Sequence, residues 1–351
     1  MNRRNILKWT LGGLALLGSG TTYSSMTNPY YSGPVSDHFD GTRFFVPNQP
    51  PLNSISSLLS WQFGNDPKAT WPALAQSPYN DEPPQRFTGL RSTLIGHASF
   101  LVQVNGLNIL IDPLYSERAS PVSFAGPKRV NPPGIAFEKL PPIDVVLITH
   151  GHYDHFDLTT IGRLHQKYKP HIICPLGNDA VMASTIGGRE NATALDWGQS
   201  ADVGQGVKVH LVPSFHWSAR GLTDRKKTLW ASFVITAPDT TLYHIGDTGY
   251  GDGRFSRDVA TQFGRVDLVH IPIGAYEPRW FMKEQHVNPA EAVQIFQDCK
   301  AIRAIGHHWG TFQLTNEAIE QPQADLSVAL AKANISANVF EAFKPGQSFS
   351  L

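Results

Sequence analysis

From about residue 88 onward the chain alternates short apolar runs with polar turns, and the runs carry the two periods that separate strands from helices. Segments 94–95, 99–104 and 107–111 read as successive strands. Asn105-Gly106, between the last two, is a hairpin signal, because a two-residue turn needs residues that tolerate positive φ. Asp112-Pro113 ends the third strand. Further runs at 145–148, 171–174, 207–212, 230–236, 241–245, 266–271 and 302–305 predict more strands. Helical spacing predicts helices over 157–168, 177–185, 289–299 and 324–333, and Asn288-Pro289 supplies an N-cap with a first-turn proline. The order is strand-rich with interspersed helices, as expected for one α/β domain over 86–351. No short-period repeat or low-complexity segment interrupts it.

The N-terminal part is patterned differently. Residues 26–85 are rich in Pro, Ser and Asn, with Pro-Pro pairs at 50–51 and 83–84. Proline fixes φ and removes a backbone donor, so this stretch reads as an irregular strap. Within residues 1–25, Asn2-Arg3-Arg4-Asn5-Ile6-Leu7-Lys8 precedes an apolar stretch at 9–17, and no acidic residue occurs before Asp37. The apolar stretch is too short to span a bilayer comfortably, and the segment resembles a twin-arginine export signal. The expected location is the periplasm, or the periplasmic face of the inner membrane, of a bacterium, with cleavage or anchoring of the segment left open. Such a route exports folded protein.

Composition narrows the chemistry. The 351 residues allow one large domain or two small ones, and 41% hydrophobic with 17% charged residues is ordinary for a globular chain. Formal net charge is +0 and no basic tract is present, which argues against a nucleic-acid partner. Cys174 and Cys299 are the only cysteines and fit neither a disulfide framework nor a zinc ribbon. A metal would therefore be held by nitrogen and oxygen. Eight Trp and 19 Phe supply either a large core or a surface that meets lipid.

Residues 149–157 read Thr-His-Gly-His-Tyr-Asp-His-Phe-Asp, directly after the run 145–148. Imidazole and carboxylate are ligands that a borderline-soft dication such as zinc prefers. Four such residues, His150, His152, Asp154 and His155, packed so closely suit two adjacent metals better than one. Three later strand ends repeat the chemistry: His216 follows 207–212, Asp247 follows 241–245, and His308 follows 302–305. Glycines beside them (Gly246, Gly249, Gly306, Gly310) let backbone approach closely. His307 adjoins His308, and sequence alone leaves open which points inward. His97 and Asp112, near predicted strand ends, read equally as groups that orient ligands or as turn residues. Asp224-Arg225-Lys226-Lys227 reads as a solvated turn, with a head-group or phosphate contact as the alternative. His38, His165, His171, His210, His244 and His270 carry no spacing signal and read as structural.

The motif His150-x-His152-x-Asp154-His155, with His216, Asp247 and His308 in that order, resembles the metallo-β-lactamase superfamily of binuclear metallohydrolases. Segments 230–235, 246–250, 272–283, 285–287 and 308–312 resemble, more narrowly, the N-acyl-phosphatidylethanolamine-hydrolysing phospholipase D family. The resemblance implies a four-layer αβ/βα sandwich with the site at the rim between two facing sheets. It implies two zinc ions per chain, the first on His150, His152 and His216, the second on Asp154, His155 and His308, with Asp247 bridging. It also implies substrate contacts for Tyr153 and His286.

The activity implied is hydrolysis of a glycerophospholipid on its head-group side, giving phosphatidic acid and the head-group product. The attacking group would be a hydroxide bridging the metals, whose pKa two dications lower. Asp154 could accept its hydrogen bond, and His286 is a candidate acid for the leaving group. The competing expectations are a lactonase or phosphoesterase for a soluble metabolite on the same scaffold, and a binding or stress protein without turnover. A lipid enzyme should expose an apolar groove beside the metals, and a soluble-metabolite enzyme should have a closed polar pocket. The expected partners are a phospholipid and a membrane surface, with assembly as a homodimer left open.

Overall fold

Two sheets of like design face each other. The first runs in the order β14-β1-β2-β3-β4-β5-β6, from β1 (Leu90–Gly96), β2 (Ser99–Val104), β3 (Leu107–Ile111), β4 (Val145–Leu147), β5 (His171–Pro175), β6 (Ala192–Leu195) and β14 (Ser348–Ser350). The second comprises β7 (Ser200–Gly204), β8 (Val207–Val212), β9 (Ser232–Ala237), β10 (Thr240–His244), β11 (Val266–Pro272), β12 (Ala301–His307) and β13 (Phe340–Ala342). Its order is β13-β12-β11-β10-β9-β8-β7. In each sheet antiparallel pairings give way to parallel ones, from β3 onward in the first and from β10 onward in the second. The computed structural model describes residues 27–51 and 53–351. The expected export signal at 1–25 lies outside the described residues.

Side-chain alternation makes the layers. Phe100, Val102 and Val104 of β2 enter the core between the sheets, while Leu101 enters the core on the opposite face, the two-residue period of extended chain. Phe100, Ile109 and Leu147 meet Val209, Phe233 and Leu268 of the facing sheet. Helices α2 (Leu158–Tyr168) and α3 (Asn178–Ile186) cover the outer face of the first sheet through Ile161, Leu164, Met182 and Ile186. On the second sheet, α6 (Pro289–Asp298) and α7 (Gln321–Lys332) do the same through Val293, Phe296, Leu326 and Leu330. The result is the expected four-layer αβ/βα sandwich. Asn105 and Gly106 turn β2 into β3 with φ of 47° and 84°, the left-handed geometry that pair suits. Asn288 and Glu291 close a capping box at α6.

Some elements escaped the hydrophobic pattern. Within the strap, Ser54 caps a helix, α1 (Ile55–Phe63), its hydroxyl accepting from the Ser57 amide at 3.2 Å. This corrects the wholly irregular reading of 26–85. Leu58, Leu59 and Phe63 of α1 are exposed, so no buried apolar stripe advertised it. Helix α4 (Arg254–Phe263) buries only Ser256 and Val259, and the short α5 (Arg279–Met282) lies in a loop. Among the described residues no helix is long and apolar enough to cross a membrane.

Candidate metal centre

The rim where strand ends converge collects the ligand-type residues. The loop after β4 delivers His150, His152, Asp154 and His155; His216 follows β8, Asp247 follows β10, and His308 follows β12. Asp157 begins α2 by accepting from the amides of Thr159 and Thr160 at 3.1 and 3.3 Å, which fixes where the His-rich loop ends. His150, His155, His216, Asp247 and His308 are buried, and His152 and Asp154 half-buried.

Two sets of donor atoms share Asp247. In the first, His152 Nδ1 lies 2.9 Å from His150 Nε2 and 3.2 Å from His216 Nε2. Asp247 Oδ2 stands 3.8 and 3.6 Å from His150 and His216. In the second, His308 Nε2 lies 3.2 Å from His155 Nε2 and 3.3 Å from Asp154 Oδ2. Asp247 reaches His308 with Oδ1 at 3.1 Å and His155 with Oδ2 at 3.2 Å.

Atoms behind the rings decide which nitrogens face inward. His155 Nδ1 donates to Asp112 Oδ2 at 2.7 Å, and His216 Nδ1 donates to the Gln285 carbonyl at 3.0 Å. Thr149 Oγ1 donates to Asp112 Oδ2 at 2.5 Å and so accepts from His150 Nδ1 at 2.9 Å. These partners assign the Nδ1–H tautomer to all three, leaving the Nε2 lone pairs converging. Converging lone pairs repel unless a cation lies between them. Ligands about 2.1 Å from a tetrahedral dication stand roughly 3.4 Å apart, close to the spacings of both sets. The residues fit a pair of divalent cations.

Electrostatics point the same way. Burial would raise the carboxyls of Asp154 and Asp247, but the surrounding imidazoles, led by His155 and His308 respectively, hold both well below the usual carboxylate range. Burial would lower His155 and His308, yet the carboxylates, led by Asp247, hold His155 well above the usual range and push His308 up to about 9. The carboxylates thus demand positive charge at this end of the site. Burial, reinforced by neighbouring imidazoles, keeps His150 well below its usual range, so it stands as a neutral ligand.

His308, and not its neighbour, joins the cluster. His307 Nε2 instead donates to the Ile245 carbonyl at 2.8 Å. His308 adopts φ 65° and its amide donates to the His97 carbonyl at 2.9 Å, placing the two rings 4.0 Å apart. His97 Nε2 in turn bonds Asp154 Oδ2 at 3.0 Å. His97 and Asp112 therefore both orient ligand-type residues, which their sequence positions left open.

His286 lines the cleft above the cluster with its Nε2 3.9 Å from Asp247 Oδ2, and its buried Nδ1 has no partner. Tyr153 does not line that cleft. Its hydroxyl donates to the Arg220 carbonyl at 2.9 Å and its ring carries the Arg220 guanidinium at 4.1 Å. The phenol is engaged in holding the ligand loop, because Arg220 also donates to the carbonyls of Gly151 and Phe156.

The cleft has a volume of about 260 Å³. Its floor holds His152, Asp154, His216 and Asp247, and its walls include Leu58, Trp61, Phe281, Met282 and Leu314. Leu58 and Trp61 come from α1 in the strap. Trp61 stacks on Phe281 at 5.0 Å and donates to Asn316 Oδ1 at 3.0 Å. Arg225 also lines the cleft, out of the segment read as a solvated turn. No spacing signal could have brought strap residues here, since the contacts join positions far apart in the chain.

Comparison with known proteins gives the site a context. Residues 107–309 match the family model described as beta-lactamase superfamily domain. N-acyl-phosphatidylethanolamine-hydrolyzing phospholipase D 1 of Caenorhabditis elegans is 39% identical over 68% of this chain and 69% of its own length. An uncharacterized protein of Mycobacterium tuberculosis is 32% identical over 90% of this chain and 83% of its own. Among solved structures, Igni18, a metallo hydrolase from Ignicoccus hospitalis, overlays with a TM-score of 0.54 at 18% identity, covering 75% of this chain and 98% of that one. The last is a likeness of fold.

Proposed function

Because the chain belongs to the beta-lactamase superfamily, within its N-acyl-phosphatidylethanolamine-hydrolysing phospholipase D-like family, and is a metal-dependent hydrolase, we propose that it is a binuclear zinc phosphodiesterase of phospholipase D type. The substrate is N-acyl-phosphatidylethanolamine or a related glycerophospholipid, and the products are phosphatidic acid and the head-group product. One observation carries this reading: the Asp247-centred cluster lies at the floor of a cleft whose walls are largely apolar. A cleft of about 260 Å³ suits a phosphate with its head group, leaving acyl chains at the rim. Leu58, Leu59, Phe63 and Trp280 are 41%, 51%, 75% and 52% exposed and offer those chains apolar surface at the strap and α5. We place the protein on the periplasmic face of a membrane, following the twin-arginine-like leader.

His150, His152 and His216 would hold one zinc, Asp154, His155 and His308 the other, and Asp247 both. Zinc bound there would supply Lewis acidity toward a phosphoryl oxygen and a water acidified toward neutrality. The chain's own groups orient and exclude. Asp112, Thr149 and the Gln285 carbonyl hold the rings in the tautomers described above. His97 fixes Asp154, and the apolar walls keep bulk water from the scissile ester. His286, which lines the cleft with Nε2 3.9 Å from Asp247, is the group positioned to hydrogen-bond the departing head-group oxygen.

The test is turnover of a phospholipid panel by zinc-loaded protein, with His152→Ala and Asp247→Asn as controls. Release of phosphatidic acid that both controls abolish is expected. Rapid lactone hydrolysis without lipid turnover would replace this reading with that of a soluble-metabolite enzyme.

A further inference from the structure

Among the described residues lining the cleft, Arg225 is the one lysine or arginine. Its guanidinium lies 4.4 Å over the Trp217 ring, and Trp217 in turn packs edge-on against His152 at 4.5 Å. One aromatic ring therefore separates this cation from a residue of the metal cluster. Its Nη1 donates to the Asn53 carbonyl at 3.0 Å, while its buried Nε has no partner. Among the described residues no carboxylate pairs with it. Burial and the neighbouring cation Arg43 both press on its charge, the condition of a buried cation that lacks a counter-ion.

The geometry points to Arg225 as the anion-recognition residue of the cleft, taking a non-bridging oxygen of a phosphodiester with its guanidinium. This rests on, and deepens, the phosphodiesterase reading. Two dications facing Asp154 and Asp247 would already neutralise the local carboxylates, so the cation over Trp217 adds a net preference for an anionic ligand. A phosphodiester keeps one negative charge shared by two oxygens, which a guanidinium that stays charged attracts with a charge-assisted hydrogen bond. A neutral ester or lactone gains nothing from it. Arg225 therefore selects among substrates that the metal cluster alone would treat alike. The Trp217 ring fixes the guanidinium in direction, and Trp217 is held by Gln285, whose side-chain oxygen accepts from the indole at 2.5 Å and whose carbonyl holds His216. Anion recognition and ligand placement thus share one wall.

The experiment is calorimetric titration of zinc-loaded wild-type, Arg225→Lys and Arg225→Gln proteins with dibutyl phosphate, an anionic diester, and tributyl phosphate, its neutral counterpart. Loss of a charge-assisted hydrogen bond corresponds to roughly 10- to 100-fold weaker binding. That loss is expected for dibutyl phosphate in Arg225→Gln, with partial retention in Arg225→Lys and no change for tributyl phosphate. Because Arg225 also touches the strap at Asn53, Trp61→Ala provides a variant that loosens α1 with the charge intact, and it should bind the diester more tightly than Arg225→Gln. Equal binding of dibutyl phosphate by Arg225→Gln and wild type overturns the proposal. So do loss of both ligands together, an equal loss in Trp61→Ala, and no diester binding by the wild type. Arg225-dependent diester binding without phospholipid turnover would leave Arg225 in this role and remove the lipid substrate.

Discussion

Asp112 and His155 form a fully buried pair in which the carboxylate accepts the imidazole Nδ1 proton at 2.7 Å. The same Asp112 accepts from the Thr149 amide at 2.7 Å and from its hydroxyl, so three donors converge on one acceptor-only group. Asp112→Asn puts an amide NH₂ where a donor must be met, and turns one donor against another. We expect a folded protein with metal affinity reduced about 10- to 100-fold, read by competition with a chromophoric chelator. Unchanged affinity would show that His155 keeps its tautomer without Asp112.

Asp247 stands within reach of both donor sets. Asp247→Asn removes a negative charge from between them and offers an N–H to His155 or His308. The expected outcome is loss of at least one of the two zinc ions proposed here, by elemental analysis, with activity down roughly 10³-fold or more. Retention of two ions would mean that Asp247 does not bridge.

Leu58 is placed at the cleft wall and the surface together. Leu58→Asp puts a charge where acyl chains are proposed to lie. Turnover of vesicle-borne phospholipid should fall about tenfold through KM, the effect of about 1.4 kcal/mol expected when a partly exposed charge loses only part of its hydration against apolar chains. A short-chain, monomeric phosphodiester should be hydrolysed as before. Parallel losses on both substrates would remove α1 from the lipid path.

Gly274 is a close-approach position. A Cβ there would lie 2.2 Å from the His308 carbonyl oxygen and 3.0 Å from Trp309 Cβ. That carbonyl cannot yield without moving His308. Gly274→Ala is expected to cost about 1–3 kcal/mol of stability and to weaken metal binding. Urea unfolding and zinc content, measured on the same preparation, test both.

His38 ties the strap to the body. Its Nε2 lies 2.8 Å from Asp196 Oδ1 and its Nδ1 2.6 Å from the exposed Asp37, with the ring stacked on Trp197 at 4.6 Å. The hydrogen bond to Asp196, helped by Asp37 and opposed by burial, raises its pKa above the usual histidine range. A raised folded value means that the charged clasp stabilises fully below the unfolded pKa of about 6.5. That contribution is lost as pH rises through the folded value. His38→Gln should therefore cost more stability at about pH 5.5 than at about pH 9, by equilibrium denaturation. A cost that grows with pH would reverse the assignment.

Much of the fold was legible because its signals are local. Alternation along 99–111, the Asn105-Gly106 turn and the Asn288 cap each act within a few residues. The elements that escaped, α1, α4, the four-residue α5, β6, β7 and the three-residue β13 and β14, lack a buried stripe or the length to repeat a period. The His-rich loop was equally visible, since four ligand-type residues in one turn need no tertiary information to stand out.

By itself, then, the sequence determined the strand-rich α/β order, the ligand types and their strand-end positions, because chain-local chemistry sets strand period and what an imidazole can bind; the layering was implied only by the family resemblance. Only the tertiary structure decided between His307 and His308, since a φ of 65° and the hydrogen bond to His97 turn one ring into the cluster and leave the other on the Ile245 carbonyl. It also decided which nitrogens face inward, through Asp112, Thr149 and Gln285. Finally, it brought α1 and Arg225 to the cleft wall and turned Tyr153 toward Arg220. These are contacts between segments distant in sequence, chosen by packing, and no local pattern encodes them.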